Sequence, residues 1–457
     1  IYTFIKYGAV LLKHMRHSII KTAVVPPVLL AVAAVLCYLF IVRGMYALED
    51  LPVKKIPRWS KICIEVVMVV FFLHTVQVQG TEIGMWDYIQ SVRESSDFYE
   101  KEYVNPAKVK MTFPKEKKNL IYIFMESMES SYADKEDGGT MDDNYIPNLT
   151  KLARENVQFT DKKDGKVGGP VCLEATAYTA GGLVAQTSAI NLKVMNSGAV
   201  SDSFLPNLTA LGDILNKQGY NQMFLCGSDG DFAGRDAYFK THKDYQIEDY
   251  KAAIKEGDIP KDYKVYWGHE DKVLYERAKK NLKKLSKEGK PFNLTMLTVD
   301  THFPNGYICD LCENKYDTTY GNAVACADRQ VYDFVQWIKK QDFYEDTTII
   351  IAGDHTSMVD TGSKFWKSLS NDYQRTVYNA IINPQCAYKK KVTTKRKFST
   401  MDMFPTTLAA LGVEIDGNKL GLGTNLFSGE ETLREELGAN YINKELKRND
   451  KMYNQFY

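Results

Sequence analysis

The sequence predicts an α/β fold, and three stretches of chain carry that prediction. Thr347 to Gly353 is a β-branched apolar run that closes on Asp354-His355. Asn119 to Met125 is a second such run, closing on Glu126, and Phe292 to Val299 is a third, closing on Asp300-Thr301-His302. Short apolar runs bounded by glycine or polar residues read as buried strands. In an open α/β sheet the carboxyl ends of strands face one crevice, so Glu126, His302, Asp354 and His355 are expected to meet although far apart in the chain. Carboxylates with imidazole suit a divalent ion, and an ion at a strand-end crevice points to hydrolase or transferase chemistry.

The chain has 457 residues, 44% of them hydrophobic, and a net charge of +1. That length predicts one large catalytic domain behind an N-terminal anchor. No basic stretch is interleaved with aromatics, which excludes the electrostatic footprint of nucleic-acid binding. The chain opens on Ile1 rather than Met, so a preceding segment is expected.

Residues 23–42 carry no charge, over the roughly 20 residues that a helix needs to cross a bilayer. They are expected to form a transmembrane helix, with Pro26-Pro27 tolerated in its first turn and Lys21 and Arg43 as interfacial anchors. Residues 62–79 are a second candidate span, interrupted by Glu65 and His74. Lys13, Arg16 and Lys21 precede the first span, while Arg43, Lys54, Lys55, Arg58 and Lys61 lie between the two. The larger cluster predicts a cytoplasmic connecting loop, and so a catalytic domain on the extracytoplasmic face of a cell membrane.

A polar stalk is expected over 81–117, the catalytic domain over 118–428 and a charged, solvated tail over 429–457. Strands are predicted at Leu120 to Met125, Tyr220 to Cys226, Phe292 to Val299, Thr347 to Ala352 and Val377 to Ile382. Helices are predicted at Pro147 to Glu155, Leu208 to Gln218, Asp271 to Lys284, Ala323 to Lys340 and Met403 to Leu411. That alternation predicts a layered sandwich. Of eight cysteines, Cys37 and Cys63 fall in the candidate spans. Among the other six, Cys309 or Cys312 with Cys326 would close a short loop just after His302, and free thiols are the alternative.

Hydroxyl nucleophiles are sought in the run Glu174 to Ala185, where Thr176 and Thr179 precede Ala180-Gly181-Gly182. A hydroxyl followed by small residues at a helix start suits a nucleophile, because the first-turn N–H groups favour a phosphate there.

Asn119 to Ser127, Tyr178 to Ala185, Asp300 to Gly306, Asn322 to Asp328, Gly353-Asp354-His355 and Leu420 to Gly423 occur in this order. As an ordered set they resemble the membrane-anchored phosphoglycerol transferases, a family including phosphoglycerol transferase I and the lipoteichoic acid synthases, within the alkaline phosphatase and sulfatase superfamily. The resemblance implies an alkaline-phosphatase-like sandwich with a central mixed sheet. It implies that Glu126, Thr179, Asp354 and His355 hold a divalent ion, manganese or magnesium, with Thr179 as nucleophile. Thr176 is the rival, but the Ala-Gly-Gly-Leu-Val-Ala that follows Thr179 matches the family pattern. Cys172 lacks the Cys-x-Pro-Ser-Arg context of sulfatases, which argues against sulfate ester cleavage. Arg235 resembles the family's phosphate-binding basic residue and His302 its substrate-contacting histidine. Ala233, where lipoteichoic acid synthases tend to have tryptophan, favours the phosphoglycerol transferase I branch.

The implied reaction moves glycerophosphate from phosphatidylglycerol to a hydroxyl of a cell-envelope glycan, through a glycerophospho-threonine. Three other readings share the core or the fold: a lipoteichoic acid synthase extending a glycerophosphate polymer, a phosphoethanolamine transferase or phosphodiesterase, and a non-catalytic envelope-binding module.

Overall fold

The computed structural model describes residues 58–82, 93–193, 203–243, 245–370 and 372–457. The chain divides into two compact units, 1–95 and 96–457. In the first, helix α1 (Arg58–Glu82) runs for 25 residues and contains the expected second span. Among the described residues, however, no helix is long and apolar enough to cross a membrane. Glu65, His74, Gln77 and Gln79 break the apolar run of this segment. The first expected span, 23–42, lies outside the described residues.

The second unit is built on six strands: β1 (Asn119–Met125), β2 (Asn221–Cys226), β3 (Gln246–Glu248), β4 (Phe292–Leu297), β5 (Thr347–Gly353) and β6 (Asn379–Ile382). They form one sheet in the order β3-β2-β4-β1-β5-β6. All neighbours run parallel except β6, which lies antiparallel to β5. This is the mixed sheet expected, and it places β1 at the centre, with Ile121 in register with Leu294 on one side and Ile349 on the other.

The pleat of β1 feeds two cores. Leu120, Tyr122 and Phe124 point into one, and Ile121, Ile123 and Met125 into the other, all fully buried. A parallel strand covered on both faces reads as continuous apolar sequence, which is why these runs do not alternate. Helices α2 (Pro147–Glu155), α3 (Thr179–Ser188), α4 (Leu211–Lys217), α5 (Arg235–Thr241), α6 (Asp271–Leu285), α7 (Thr319–Ile338) and α8 (Met403–Ala410) supply the outer layers. The first core takes α3, α4 and α8, and the second takes α2, α6 and α7. Truncating Ile121 or Ile123 to alanine would cost about 2–5 kcal/mol through the cavity left behind.

Helix α7 starts at Thr319 rather than Ala323, because the Thr318 side chain accepts from the Gly321 N–H and caps the helix there. Strand β3 was not foreseen, since three residues are too few to show a period. The expected stalk ends early. From Ser96 the chain joins the domain, where Tyr99 is buried, its N–H 3.0 Å from Asp450 Oδ2 and its hydroxyl 2.7 Å from Asn191 Oδ1. The expected solvated tail is also corrected. Leu433, Ile442, Leu446, Tyr453 and Phe456 are buried in the first core, since each helical face of the tail carries apolar residues among its charges.

Candidate active site

Glu126 leaves the end of β1, and Asp354-His355 leave the end of β5 beside it. The two turns are cross-tied. Ser127 N–H donates to Asp354 Oδ1 at 2.8 Å, His355 N–H donates to the same oxygen at 2.7 Å, and Ser127 Oγ–H donates to Glu126 Oε1 at 2.7 Å. The Glu126 N–H is held by Thr298 Oγ1 at 2.9 Å, beyond the end of β4. Ser127 adopts φ +52°, so the chain turns sharply enough to bring Glu126 back over the sheet edge.

Thr179 opens α3, and its hydroxyl donates to Glu126 Oε2 at 3.2 Å and lies 3.4 Å from His355 Nε2. The approach depends on Gly182, where a Cβ would meet the Asp354 carbonyl oxygen at 2.1 Å. Likewise a Cβ on Gly353 would meet the Met128 carbonyl at 2.0 Å. Gln186 fastens the helix, donating to the Gly353 carbonyl at 2.9 Å while accepting from Tyr122 Oη at 2.9 Å.

Ligand atoms of Glu126, Asp354 and His355 all lie within 4.8 Å of one another, with each side chain buried. His355 Nδ1 lies 2.8 Å from the Thr356 carbonyl oxygen and donates to it, which leaves Nε2 facing the two carboxylates at 3.4 and 3.5 Å. Asp354 Oδ1 accepts two N–H groups, whereas buried Oδ2 has no hydrogen-bond partner. An orphaned carboxylate oxygen costs free energy unless something positive meets it. Two carboxylates, an imidazole nitrogen and a hydroxyl fit a divalent ion.

The proton inventory agrees. Burial, with the charge of Glu126, pushes the Asp354 carboxyl up to about 8. Burial pulls the His355 imidazole down, but Asp354 and Glu126 outweigh it and raise the group to about 10. For Glu126 burial acts upward and is outweighed by His355, so its carboxyl lies well below the usual range. Without an ion the cluster therefore offsets its crowded negative charge with protons.

Thr176, the rival hydroxyl, is fully buried and points elsewhere: it donates to the Leu173 carbonyl at 2.9 Å, with Thr400 Oγ1 at 3.4 Å. His302 sits half-buried past the end of β4, near enough to Glu126 to lower its pKa. Its Nδ1 donates to the Phe303 carbonyl at 2.8 Å, leaving Nε2 for a ligand, and its ring packs against Trp267 at 4.8 Å. Arg235 starts α5 beyond β2, and the Nε–Nη2 edge of its guanidinium is committed to the protein. It donates to the Phe232 and Asp229 carbonyls at 3.0 and 2.7 Å and to Ser228 Oγ at 3.0 Å. Among the described residues no hydrogen bond or ion pair joins Arg235 to Glu126, Thr179, Asp354 or His355.

The cysteine alternatives resolve as a disulfide between Cys312 and Cys326, with Cα atoms 5.1 Å apart. Cys309 stays free, its Sγ 3.6 Å from that of Cys312. The bridge ties the loop after His302 to α7. Closing a loop of this length stabilises by about 3 kcal/mol. Sequence reasoning did not single out Asp271, whose buried carboxylate holds the Val299 and Asp300 N–H groups at 2.7 and 3.2 Å and so fixes the approach to His302. Its signal was available in Trp267 to Glu270, a polar-aromatic run placed immediately before the helix that Asp271 opens.

The sheet, the strand-end acids and the helix-start hydroxyl define an alkaline-phosphatase-like α/β scaffold. The sulfatase family profile matches residues 118–413, and the chain belongs to that family. It is 33% identical over 340 residues to phosphoglycerol transferase I of Salmonella choleraesuis (strain SC-B67), and 33% identical over the same length to that of Shigella flexneri. These alignments take in 72% of this chain but only 41% of the relatives, so the chain spans less than half of their length. Among solved structures, the fold is shared with the lipoteichoic acid synthase LtaP from Listeria monocytogenes, at TM-score 0.55 and 19% identity over 70% of this chain and 79% of that one. A protein of the alkaline phosphatase superfamily from Vibrio parahaemolyticus matches at TM-score 0.53 and 21% identity, over 72% of this chain and 75% of that one.

Proposed function

We propose that the chain is a metal-dependent phosphoglycerol transferase that moves glycerophosphate from phosphatidylglycerol to a hydroxyl of a cell-envelope glycan. The carrying observation is the Thr179 hydroxyl, 3.2 Å from Glu126 and 3.4 Å from His355 at the first turn of α3. The names of the relatives at 33% identity support the head group.

Glu126, Asp354, His355 and Thr179 would hold the ion, manganese by choice or magnesium. A bound divalent ion neutralises phosphate charge and makes a coordinated hydroxyl a competent nucleophile. Thr179 Oγ, its proton passing along its hydrogen bond to Glu126 Oε2, forms a bond to phosphorus while the bond from phosphorus to the diacylglycerol oxygen breaks, leaving glycerophosphate on Thr179. The departing alkoxide takes a proton, for which His302 Nε2 is the available donor. In the second displacement an acceptor hydroxyl attacks phosphorus and gives its proton to His302, while Thr179 Oγ leaves and recovers its proton from Glu126. The first-turn N–H groups of α3 face the phosphate throughout. Arg235 contributes by shaping the loop after β2, with one edge of its guanidinium committed to that loop.

The reaction belongs at the outer face of a bacterial cell membrane, where the lipid donor is concentrated. The Cys312–Cys326 disulfide supports an oxidising compartment. Intact-protein mass spectrometry with Mn2+ and phosphatidylglycerol tests the reading. A glycerophosphate adduct is expected on the unaltered chain and on Thr176→Ala, and none on Thr179→Ala. An adduct that survives Thr179→Ala would overturn the nucleophile, and absence of both adduct and free glycerophosphate would overturn the donor.

A further inference from the structure

Behind the ion ligands lies an ion pair that touches neither Glu126 nor His355. Glu129, fully buried, accepts from Arg375 Nε at 3.0 Å through Oε2, and Arg375 Nη2 also donates to Oε1. The same two side chains hold both polar groups of one peptide residue. Ser357 N–H donates to Glu129 Oε1 at 2.7 Å, and the Ser357 carbonyl accepts from Arg375 Nη2 at 2.7 Å. Trp366 backs the guanidinium at 4.6 Å, and Ser131 Oγ donates to Glu129 Oε2 at 2.8 Å.

Ser357 also carries a second tie. Its Oγ is 2.9 Å from Tyr320 Oη, which is 3.1 Å from Tyr132 Oη, and Tyr132 donates to the Ser127 carbonyl at 2.8 Å. Ser127 is the residue that braces Glu126 and Asp354. Between Ser357 and His355 stands only Thr356, whose carbonyl receives the His355 Nδ1–H.

We propose that Glu129 and Arg375 are positioning residues for the ion site, a clamp on Ser357 that fixes the Thr356 carbonyl and thereby aims His355 Nε2 at Glu126 and Asp354. This rests on the reading of that cluster as an ion site, and not on the identity of the donor lipid. A bidentate guanidinium holds its partner in one plane, which a lysine cannot do. Partners that orient a ligating imidazole from outside the first ring of ligands are worth about 10–100-fold in metal affinity.

The test is calorimetric titration of the 457-residue chain with Mn2+, with Glu129→Gln, Arg375→Met and the milder Arg375→Lys each placed in the unaltered chain and in His355→Ala. Melting temperature is measured without ion in parallel. The expected result is a loss of about 10–100-fold in affinity for Glu129→Gln and Arg375→Met. No further loss is expected once His355 is alanine, although the drop in melting temperature persists in both backgrounds. An unchanged affinity with a lowered melting temperature would make the pair a packing feature and overturn the proposal. Equal affinity losses in both backgrounds would overturn the route through His355. A chain that binds no Mn2+ overturns the ion site and the clamp together. Bound Mn2+ with the expected cycle but no glycerophosphate adduct sinks the donor reading and leaves the clamp standing.

Discussion

The two ends of the candidate site are built differently. Where β1 meets β5, Glu126, Asp354 and His355 are buried and cross-tied by backbone N–H groups. Past β4 and β2, His302 is half-buried among aromatic rings, and neighbouring Phe303 and Phe232 are exposed. The first half is rigid and polar, as holding an ion requires. The second is open and apolar at its rim, which suits entry of the proposed lipid donor. Ion binding and substrate binding should therefore separate under mutation.

The largest effect expected is from Asp354→Asn, which removes the orphaned oxygen and should abolish Mn2+ binding in calorimetry and the covalent adduct with it. His302→Ala should leave Mn2+ affinity within about twofold yet slow adduct formation by about 10²–10⁴, the usual worth of a positioned proton donor. If His302→Ala also released the ion, the two halves would not be distinct.

A pH series sharpens the same contrast. With Asp354 raised to about 8 and His355 to about 10, both protons must leave before an ion can enter. Mn2+ affinity should rise with pH, by up to about 100-fold per unit below the first value and about 10-fold per unit between them. Sign matters for folding as well. The ion-free folded chain keeps protons that the unfolded chain would release near 3.8 and 6.5, so this contribution to stability is present at low pH and is lost as pH rises through the two folded values. An affinity that does not vary between pH 6 and 9 would sink the assignment.

Smallest is Arg235→Lys. Its guanidinium donates to two carbonyls and Ser228, so the change should lower stability by about 1–2 kcal/mol in thermal melts, with only a few-fold effect on adduct formation. A loss beyond about 100-fold would instead require direct phosphate contact.

Glu126, Asp354 and His355 were legible in the sequence because each ends an uninterrupted apolar run, and parallel strands must end on one edge. Thr179 was legible through its glycines, and the structure supplies the reason in the close approach of Gly182 to Asp354. Arg235 follows the strand read at Tyr220 to Cys226, but its bonds to the Phe232 and Asp229 carbonyls and to Ser228 were not legible, since a guanidinium on a backbone loop leaves no mark in residue order. The clamp residue Arg375 was invisible for a similar cause: it meets Glu129 across 246 positions. The packed tail was misread because its apolar positions are sparse among charges, and only the groove that receives them distinguishes it from a solvated helix.

That tail brings the two ends of the second unit together. Tyr99 packs on Tyr453 at 5.2 Å, and Tyr103 on Phe456 at 5.0 Å, so the chain leaves the domain close to where it entered. Adjacent ends make a circular permutant feasible. Joining 457 to 96 by a short linker and opening an exposed loop should preserve the sheet and the ion site.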